Sequence, residues 1–216
     1  MAKVTSSFKF RHPSTILIAG PTGSGKTVFT TKLILDNQHL WPDAPRVVHY
    51  CYDAWQPAFE KLQKAGVHFH KGIPDPEQFD KWYPKDGGLL IMDDLMEEGG
   101  KDKRVLDIFT KLSHHRQITA VYLTQDLFPA GKYAKTISRN VHYAVVFKSA
   151  RDKLGIKNLL MQAYPNEWPS VLDTFNKVTS QPFGYMVFDF HPASADSCRI
   201  LSHVLKGDGY THCYQF

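Results

Sequence analysis

The sequence predicts an α/β fold in which a mainly parallel central sheet is flanked by helices on both faces. Short apolar or β-branched runs alternate along the chain with longer helix-patterned stretches, which is the pattern of a parallel sheet wrapped by helices. A glycine-rich segment joins the first of these runs to a helix-compatible stretch, and a later apolar run ends in two aspartates. Both features are typical of the carboxyl edge of such a sheet, where ligands bind.

The individual elements follow from hydrophobic periodicity and from the Pro and Gly residues between them. Strands are predicted over 15–19, 46–50, 88–92, 118–124, 142–147 and 185–190. Helices are predicted over 26–38, 55–65, 103–114, 152–163 and 167–177. A chain of 216 residues suits one domain with a sizeable core. We therefore expect a single domain over residues 1–206 and a poorly ordered tail over residues 207–216.

Composition excludes several classes of protein. Apolar residues make up 43% and charged residues 22% of the chain, as in ordinary globular proteins. The net charge of +5 gives a mild preference for polyanionic partners. Three cysteines without CxxC spacing suggest neither a disulfide framework nor a zinc ribbon, and favour a reducing compartment. Since no apolar run approaches the ~20 residues that cross a bilayer, we expect a soluble intracellular protein that does not engage membranes.

The glycine-rich segment matches the phosphate-binding pattern G-x-x-x-x-G-K-T. It consists of Gly20, Pro21, Thr22, Gly23, Ser24, Gly25, Lys26 and Thr27. Its glycines let successive amide groups face a phosphate at the start of a helix. Lys26 is expected to reach the β and γ phosphates, and the Thr27 hydroxyl to ligate Mg²⁺. The sequence thus predicts an ATP site of the P-loop NTPase type.

The apolar run at 89–92 ends in Asp93 and Asp94, in the manner of a Walker B strand. Parallel strands present their carboxyl ends at one edge, so Asp93 is expected beside the phosphate segment, where it can hold Mg²⁺ directly or through water. Asp94 is then predicted to polarise the attacking water. Glu97 and Glu98 are rival candidates for that second task.

Gln125 follows the strand predicted at 118–124, at the same sheet edge, where it could sense the γ-phosphate. Arg116 precedes this strand and closes a helix, outside the chain's own phosphate site. It is a candidate arginine finger that would serve a neighbouring subunit. Stabilisation of the helix carboxyl terminus is an equal alternative for Arg116, and Arg139 has the same ambiguity.

With these motifs in order, the chain resembles the FtsK/HerA superfamily of DNA-translocating ring ATPases, which are RecA-like P-loop proteins. Within it, the chain is similar to the genome-packaging ATPases of poxvirus-type and Polinton/adintovirus-type DNA viruses. The segments that carry this resemblance are CYDAWQP at 51–57, IMDDLM at 91–96, SHHR at 113–116, LTQDLF at 123–128 and FKSARD at 147–152.

The resemblance implies a motor that assembles as a homo-oligomeric ring, a pentamer or hexamer. Such a motor binds ATP and Mg²⁺ between subunits and pumps double-stranded DNA into a preformed capsid. Its partners would include a capsid vertex or portal protein, and it would act in the host nucleus or cytoplasm or associate with the virion. On that pattern Arg116 matches the finger acting in trans and Gln125 the sensor. Asp94 departs from the Glu that is common in the wider superfamily.

Other assignments stay open at this point. Basic residues near the two catalytic strand ends could contact DNA phosphates or be solvated loop residues: Lys101, Lys103, Arg104, Lys132 and Lys135. Phe8 and Phe10 could flank the adenine base or pack at the domain edge. A P-loop kinase of small substrates and a nucleotide-gated assembly module are the competing functions, and the gene could be viral or a domesticated host copy.

Overall fold

The computed structural model describes the backbone of residues 2–5 and residues 8–83, 85–93, 95, 101–128 and 130–216. Within them a ten-stranded sheet has the order β1-β10-β9-β8-β7-β2-β6-β5-β3-β4. The six strands from β7 to β4 run parallel, whereas β8, β9, β10 and β1 add an antiparallel wing beside β7. The strands are β1 Ala2–Thr5, β2 Thr15–Ala19, β3 Val48–Tyr52, β4 His68–Lys71, β5 Gly88–Asp93, β6 Ile118–Thr124, β7 Tyr143–Phe147, β8 Tyr185–Asp189, β9 Ile200–Ser202 and β10 Thr211–Tyr214.

Helices lie in the connections between successive strands of the sheet. They are α1 Lys26–Leu35, α2 Asn37–Leu40, α3 Phe59–Lys64, α4 Phe79–Trp82, α5 Lys103–Asp107, α6 Ser113–His115, α7 Ala134–Arg139, α8 Lys153–Ala163 and α9 Trp168–Val178. A π-helical turn at Ile108–Leu112 joins α5 to α6, and short 3-10 turns lie at Pro76–Gln78 and Asp196–Cys198.

Alternate side chains of the central strands enter two separate cores. Leu17 of β2 packs in one core with residues of α4, α5, α8 and α9, whereas Ile16 and Ile18 pack in the other with residues of α1, α2 and α3. Every residue of β2, β5 and β6 is buried. Strands that are covered on both faces require near-continuous apolar runs, which is the pattern that the sequence shows. The predicted fold class is confirmed.

The antiparallel wing differs from the sequence-based expectation. Residues 207–216 were expected to form a poorly ordered tail, but β10 pairs with both β1 and β9. This pairing places Cys213 beside Cys198, with their Cα atoms 5.6 Å apart, and the two are joined as a disulfide. The expectation of no disulfide was therefore wrong, because a contact across 15 positions leaves no CxxC signal. Cys51 is free and buried in the core.

Candidate active site

The segment from Gly20 to Thr27 forms a tight loop between β2 and α1. The Gly20 amide donates to the Thr124 carbonyl over 3.1 Å, which ties the start of the loop to the end of β6. The Ser24 amide donates to the Pro21 carbonyl over 3.1 Å, and α1 then begins at Lys26. The loop therefore opens onto the amino terminus of a ten-residue helix, where amide groups and the helix dipole favour an anion.

Two glycines are required by the geometry of this loop. Gly25 has a φ of 110°, and a Cβ atom there would lie 2.9 Å from Cδ1 of Phe183. A Cβ atom on Gly20 would lie 2.7 Å from Cβ of Phe147. Real side chains would therefore strain the backbone or fill the loop. The loop keeps the close backbone approach that a phosphate cradle requires, so these residues fit a nucleotide polyphosphate.

A cavity of about 360 Å³ lies over this loop at the carboxyl edge of the sheet. Lys26 and Thr27 reach it from α1, Asp93 from the end of β5, and Gln125 from the end of β6. Its lining comprises Thr22, Gly23, Gly25, Lys26, Thr27, Val28, Gln56, Asp93, Leu123, Thr124, Gln125 and Phe183. Parallel strands thus place the sequence-predicted residues at one sheet edge.

The Lys26 ammonium lies within the loop itself. Its Nζ donates to the Gly20 carbonyl over 2.5 Å and to the Pro21 carbonyl over 3.2 Å. The cation is therefore held against the backbone of the loop, and Lys26 also lines the cavity.

Asp93 is held in place by a hydrogen bond from Tyr50, a residue that the sequence did not indicate. Asp93 is 5% exposed, and the Tyr50 hydroxyl donates to its Oδ2 over 2.6 Å. In the sheet Tyr52 lies opposite Asp93, so Tyr50 projects from the same face of β3 two positions earlier. Burial, and then the charge of Asp93, raises the pKa of Tyr50 far above its usual range. Tyr50 therefore stays protonated and keeps donating to the carboxylate.

Gln56 is a second cavity residue; it lies in the CYDAWQP segment at 51–57, but the sequence indicated no role for it. It follows β3, and the strand order places the end of β3 next to the end of β5. Loop residues of this kind carry no periodic signal, so only the sheet order could have indicated Gln56.

Three predicted acids, Asp94, Glu97 and Glu98, lie outside the described residues. In the chain, Asp94 directly follows Asp93, which is the last residue of β5.

Arg116 lies at the opposite edge of the sheet from the cavity. It precedes β6, whereas Gln125 follows it, and a seven-residue strand spans roughly 23 Å. Its guanidinium pairs with Asp80 of α4, and both side chains are largely exposed. Arg116 therefore cannot serve the phosphate cradle of its own chain. Arg139, at the end of α7, is exposed and precedes β7 at the same edge.

Some of the other candidates have structural roles. Arg104 pairs with Asp102 at 2.6 Å and with Asp75 at 3.0 Å, so this guanidinium is held within the fold. Lys101, Lys103, Lys132 and Lys135 are exposed. Phe10 is fully buried against Trp41 and Tyr143, and Phe8 packs on the same cluster at the start of β7. Both phenyl rings pack at the domain edge, remote from the cradle.

No family model and no curated protein sequence matches this chain. Solved structures do match it. The chain is similar to the genome packaging NTPase B204 from Sulfolobus turreted icosahedral virus 2 in complex with ATP-gammaS, with a TM-score of 0.54 and 11% identity over 82% of this chain and 93% of that one. The same protein in complex with AMP gives 0.52 and 11% over 82% and 94%, and in complex with AMPPCP 0.51 and 12% over 82% and 93%. This likeness shows that the chain shares the α/β fold of that NTPase, in agreement with the P-loop NTPase fold predicted from the sequence.

No helix among the described residues combines the length and apolar character needed to span a bilayer.

Proposed function

We propose that this chain is the ATPase of a ring-shaped motor that drives double-stranded DNA into a viral capsid. The observation that carries the proposal is the single cavity in which Lys26, Thr27, Asp93 and Gln125 converge over a glycine loop. The fold shared with a viral packaging NTPase and the resemblance to FtsK/HerA packaging ATPases support the same function.

The loop residues from Gly20 to Thr27 would hold the polyphosphate of ATP through backbone amides and the Lys26 ammonium. The Thr27 hydroxyl and the Asp93 carboxylate supply the oxygen ligands that Mg²⁺ prefers, and both line the cavity. When bound, Mg²⁺ neutralises charge that develops on the transferring phosphoryl group. Tyr50 orients Asp93 for this contact through its hydrogen bond.

Hydrolysis needs a group that orients and deprotonates the attacking water. We assign this task to Asp94, which follows the Mg²⁺ ligand Asp93 in the chain, with Glu97 and Glu98 as rivals. Gln125 lines the cavity beyond the end of β6, where its amide can contact the γ-phosphate or the water. Its position suits a sensor that reports whether the γ-phosphate is present.

Arg116 would act on the ATP of an adjacent subunit. Its side chain is 43% exposed at the far edge of the sheet, so a neighbour's cavity is the phosphate site that it can reach. On assembly, Arg116 would leave its contact with Asp80 and would contact the γ-phosphate of the ATP that the neighbouring subunit binds. A finger supplied in trans makes hydrolysis depend on ring closure.

Double-stranded DNA and a capsid vertex or portal protein are the proposed partners. The net charge of +5 and the exposed lysines at positions 101, 103, 132 and 135 suit phosphate contacts that do not depend on sequence. Such a motor would work in the host nucleus or cytoplasm, or with the virion.

Turnover with and without duplex DNA, combined with electron microscopy of the chain with ATPγS and duplex DNA, tests this function. The proposal expects DNA to stimulate ATP hydrolysis and a closed ring to surround the duplex. A monomer whose turnover is indifferent to DNA contradicts the motor and favours a small-substrate kinase.

A further inference from the structure

A second cavity, of about 410 Å³, lies beside the phosphate cavity along α1. Gly25, Val28 and Phe183 line both cavities, so the two meet at the start of the helix. The second cavity is therefore adjacent to the place where a nucleotide bound in the cradle would extend its nucleoside portion.

Phe183 separates the two cavities and is held in an unusual way. It has a φ of 62°, although bulky residues rarely adopt the left-handed region, and its side chain is 63% exposed. Its ring contacts the position of Gly25 closely enough that a Cβ atom there would meet it at 2.9 Å. Residues held in such sparsely populated backbone conformations cluster at active sites and ligand clamps.

The walls of the second cavity combine apolar faces with a fixed polar end. Val28, which is 56% exposed, Val178 and Phe183 provide apolar surface. At the other end Asp208 accepts a hydrogen bond of 2.6 Å from the Tyr185 hydroxyl and pairs with Lys32 at 3.5 Å.

Tyr185 is itself anchored by the wing of the sheet. Its hydroxyl accepts from the Val204 and Leu205 amides over 2.8 Å and 3.2 Å. The polar end of the cavity is therefore preorganised, and its carboxylate suits a ligand that carries N–H or O–H donors.

We propose that this second cavity binds the purine base and ribose of the nucleotide, with the Phe183 ring as the stacking platform and Asp208 and Lys32 at the polar end. The proposal rests on the nucleotide site assigned above. A purine suits the cavity better than a pyrimidine, because its wider ring system covers more of the apolar wall. Under this proposal the adenine base contacts Phe183 and not Phe8 or Phe10, which pack at the opposite edge of the sheet.

Calorimetric titration in EDTA with ATP, CTP and inorganic triphosphate tests this site. The wild-type protein should bind ATP more tightly than CTP and inorganic triphosphate. Phe183→Ala should weaken ATP binding roughly five- to 150-fold, the range for loss of one aromatic stacking contact, and weaken inorganic triphosphate binding far less. Phe183→Trp should restore the preference for ATP.

Two further variants test the base site without changing Phe183. Val178→Trp narrows the cavity without touching the loop, and it should lose ATP binding while retaining inorganic triphosphate. Phe216→Ala removes an exposed phenyl ring outside both cavities and should bind as the wild type does. Thermal melting checks that each variant folds.

Unchanged ATP affinity in both Phe183→Ala and Val178→Trp would overturn the base site, even if the motor function holds. Failure of the motor proposal has a different signature, because ATP would still be preferred over inorganic triphosphate while DNA left the turnover unchanged.

Discussion

At the carboxyl ends of β2, β5 and β6 the structure gathers a glycine loop, a lysine, a carboxylate and an amide around one cavity. At the amino ends of the same strands it places Arg116 paired with Asp80, and His142 beside His114 and His191. Both edges carry polar groups, but only the first arranges them around a loop that a phosphate fits. Under the proposed function, the first edge would bind and cleave ATP, while the second would support the fold and face a neighbouring subunit.

The largest expected effect is a loss of ATP turnover on substitution of Arg116, at the edge of the sheet formed by the amino ends of its parallel strands (the amino edge). Arg116→Ala should lower DNA-stimulated ATP turnover by ~10³- to 10⁵-fold, because a finger acting in trans contributes that much to phosphoryl transfer. Nucleotide affinity of the isolated chain should not change. Arg139→Ala removes the other exposed arginine considered for this role at the same edge, and it should retain wild-type turnover if Arg116 is the finger.

Mixing Arg116→Ala subunits with Asp94→Asn subunits separates a finger from a structural ion pair. Some interfaces of the mixed ring combine an intact finger with an intact water-activating acid, so activity should partly return. Absence of any rescue counts against action in trans.

Asp80→Ala should cost no more than about 1 kcal/mol of stability, as is usual for exposed ion pairs.

A smaller effect is expected from Tyr50→Phe at the carboxyl edge. Loss of the hydrogen bond to Asp93 should weaken Mg²⁺ binding to the nucleotide complex about 10- to 100-fold, the usual effect of removing such a partner. Titration of Mg²⁺ into the protein with ATPγS, followed by calorimetry, measures this change.

Tyr83→Phe is the matched control for Tyr50→Phe. Tyr83 is also buried, but its hydroxyl donates over 3.2 Å to the Leu89 carbonyl near the other end of β5. It should leave Mg²⁺ affinity unchanged. Equal losses in the two variants would mean that Tyr50 acts through packing alone.

The smallest effect is a pH dependence of stability at the amino edge. Burial, with the nearby His191 and His114, lowers the pKa of His142 to about 4, and its Nδ1 accepts from the Thr15 amide over 3.1 Å. Because the pKa of His142 in the folded state lies below its ordinary value, neutral His142 stabilises the folded protein. This contribution to the free energy of unfolding is present above pH 6.5 and is lost as the pH falls toward 4.

Urea unfolding at pH 7.5 and pH 5 should show a fall on the order of 1 kcal/mol from this group, since partial exposure reduces the full effect. His142→Gln should flatten the dependence. Identical pH profiles for the two proteins would show that His142 does not contribute.

The sequence predicts the centre of this fold better than its edges. The predicted bounds of β2 and β6 match the structure, because strands buried on both faces show continuous apolar runs. β4, with the sequence HFHK, is a partly exposed edge strand, and the periodic signal misses it. The wing strands β9 and β10 are short and find their partners through long-range pairing.

The candidate site shows the same division. Asp93 and Gln125 could be predicted because parallel strands deliver their carboxyl ends to one edge. Tyr50 and Phe183 could not, since one depends on register between neighbouring strands and the other on how a loop packs over Gly25. Contacts between elements that are distant in the sequence determine where Tyr50 and Phe183 lie, and the local sequence pattern does not indicate these contacts.

Lys26→Ala tests the central claim most directly, through ATP turnover measured with and without duplex DNA. The proposed motor requires a loss of at least ~10²- to 10³-fold in the stimulated rate, because the lysine stabilises charge on the transferring phosphoryl group. Lys111→Ala, which removes an exposed lysine of the π-helical turn, should retain wild-type turnover. DNA-stimulated turnover that survives Lys26→Ala would contradict the assignment of this cavity as the site of ATP hydrolysis.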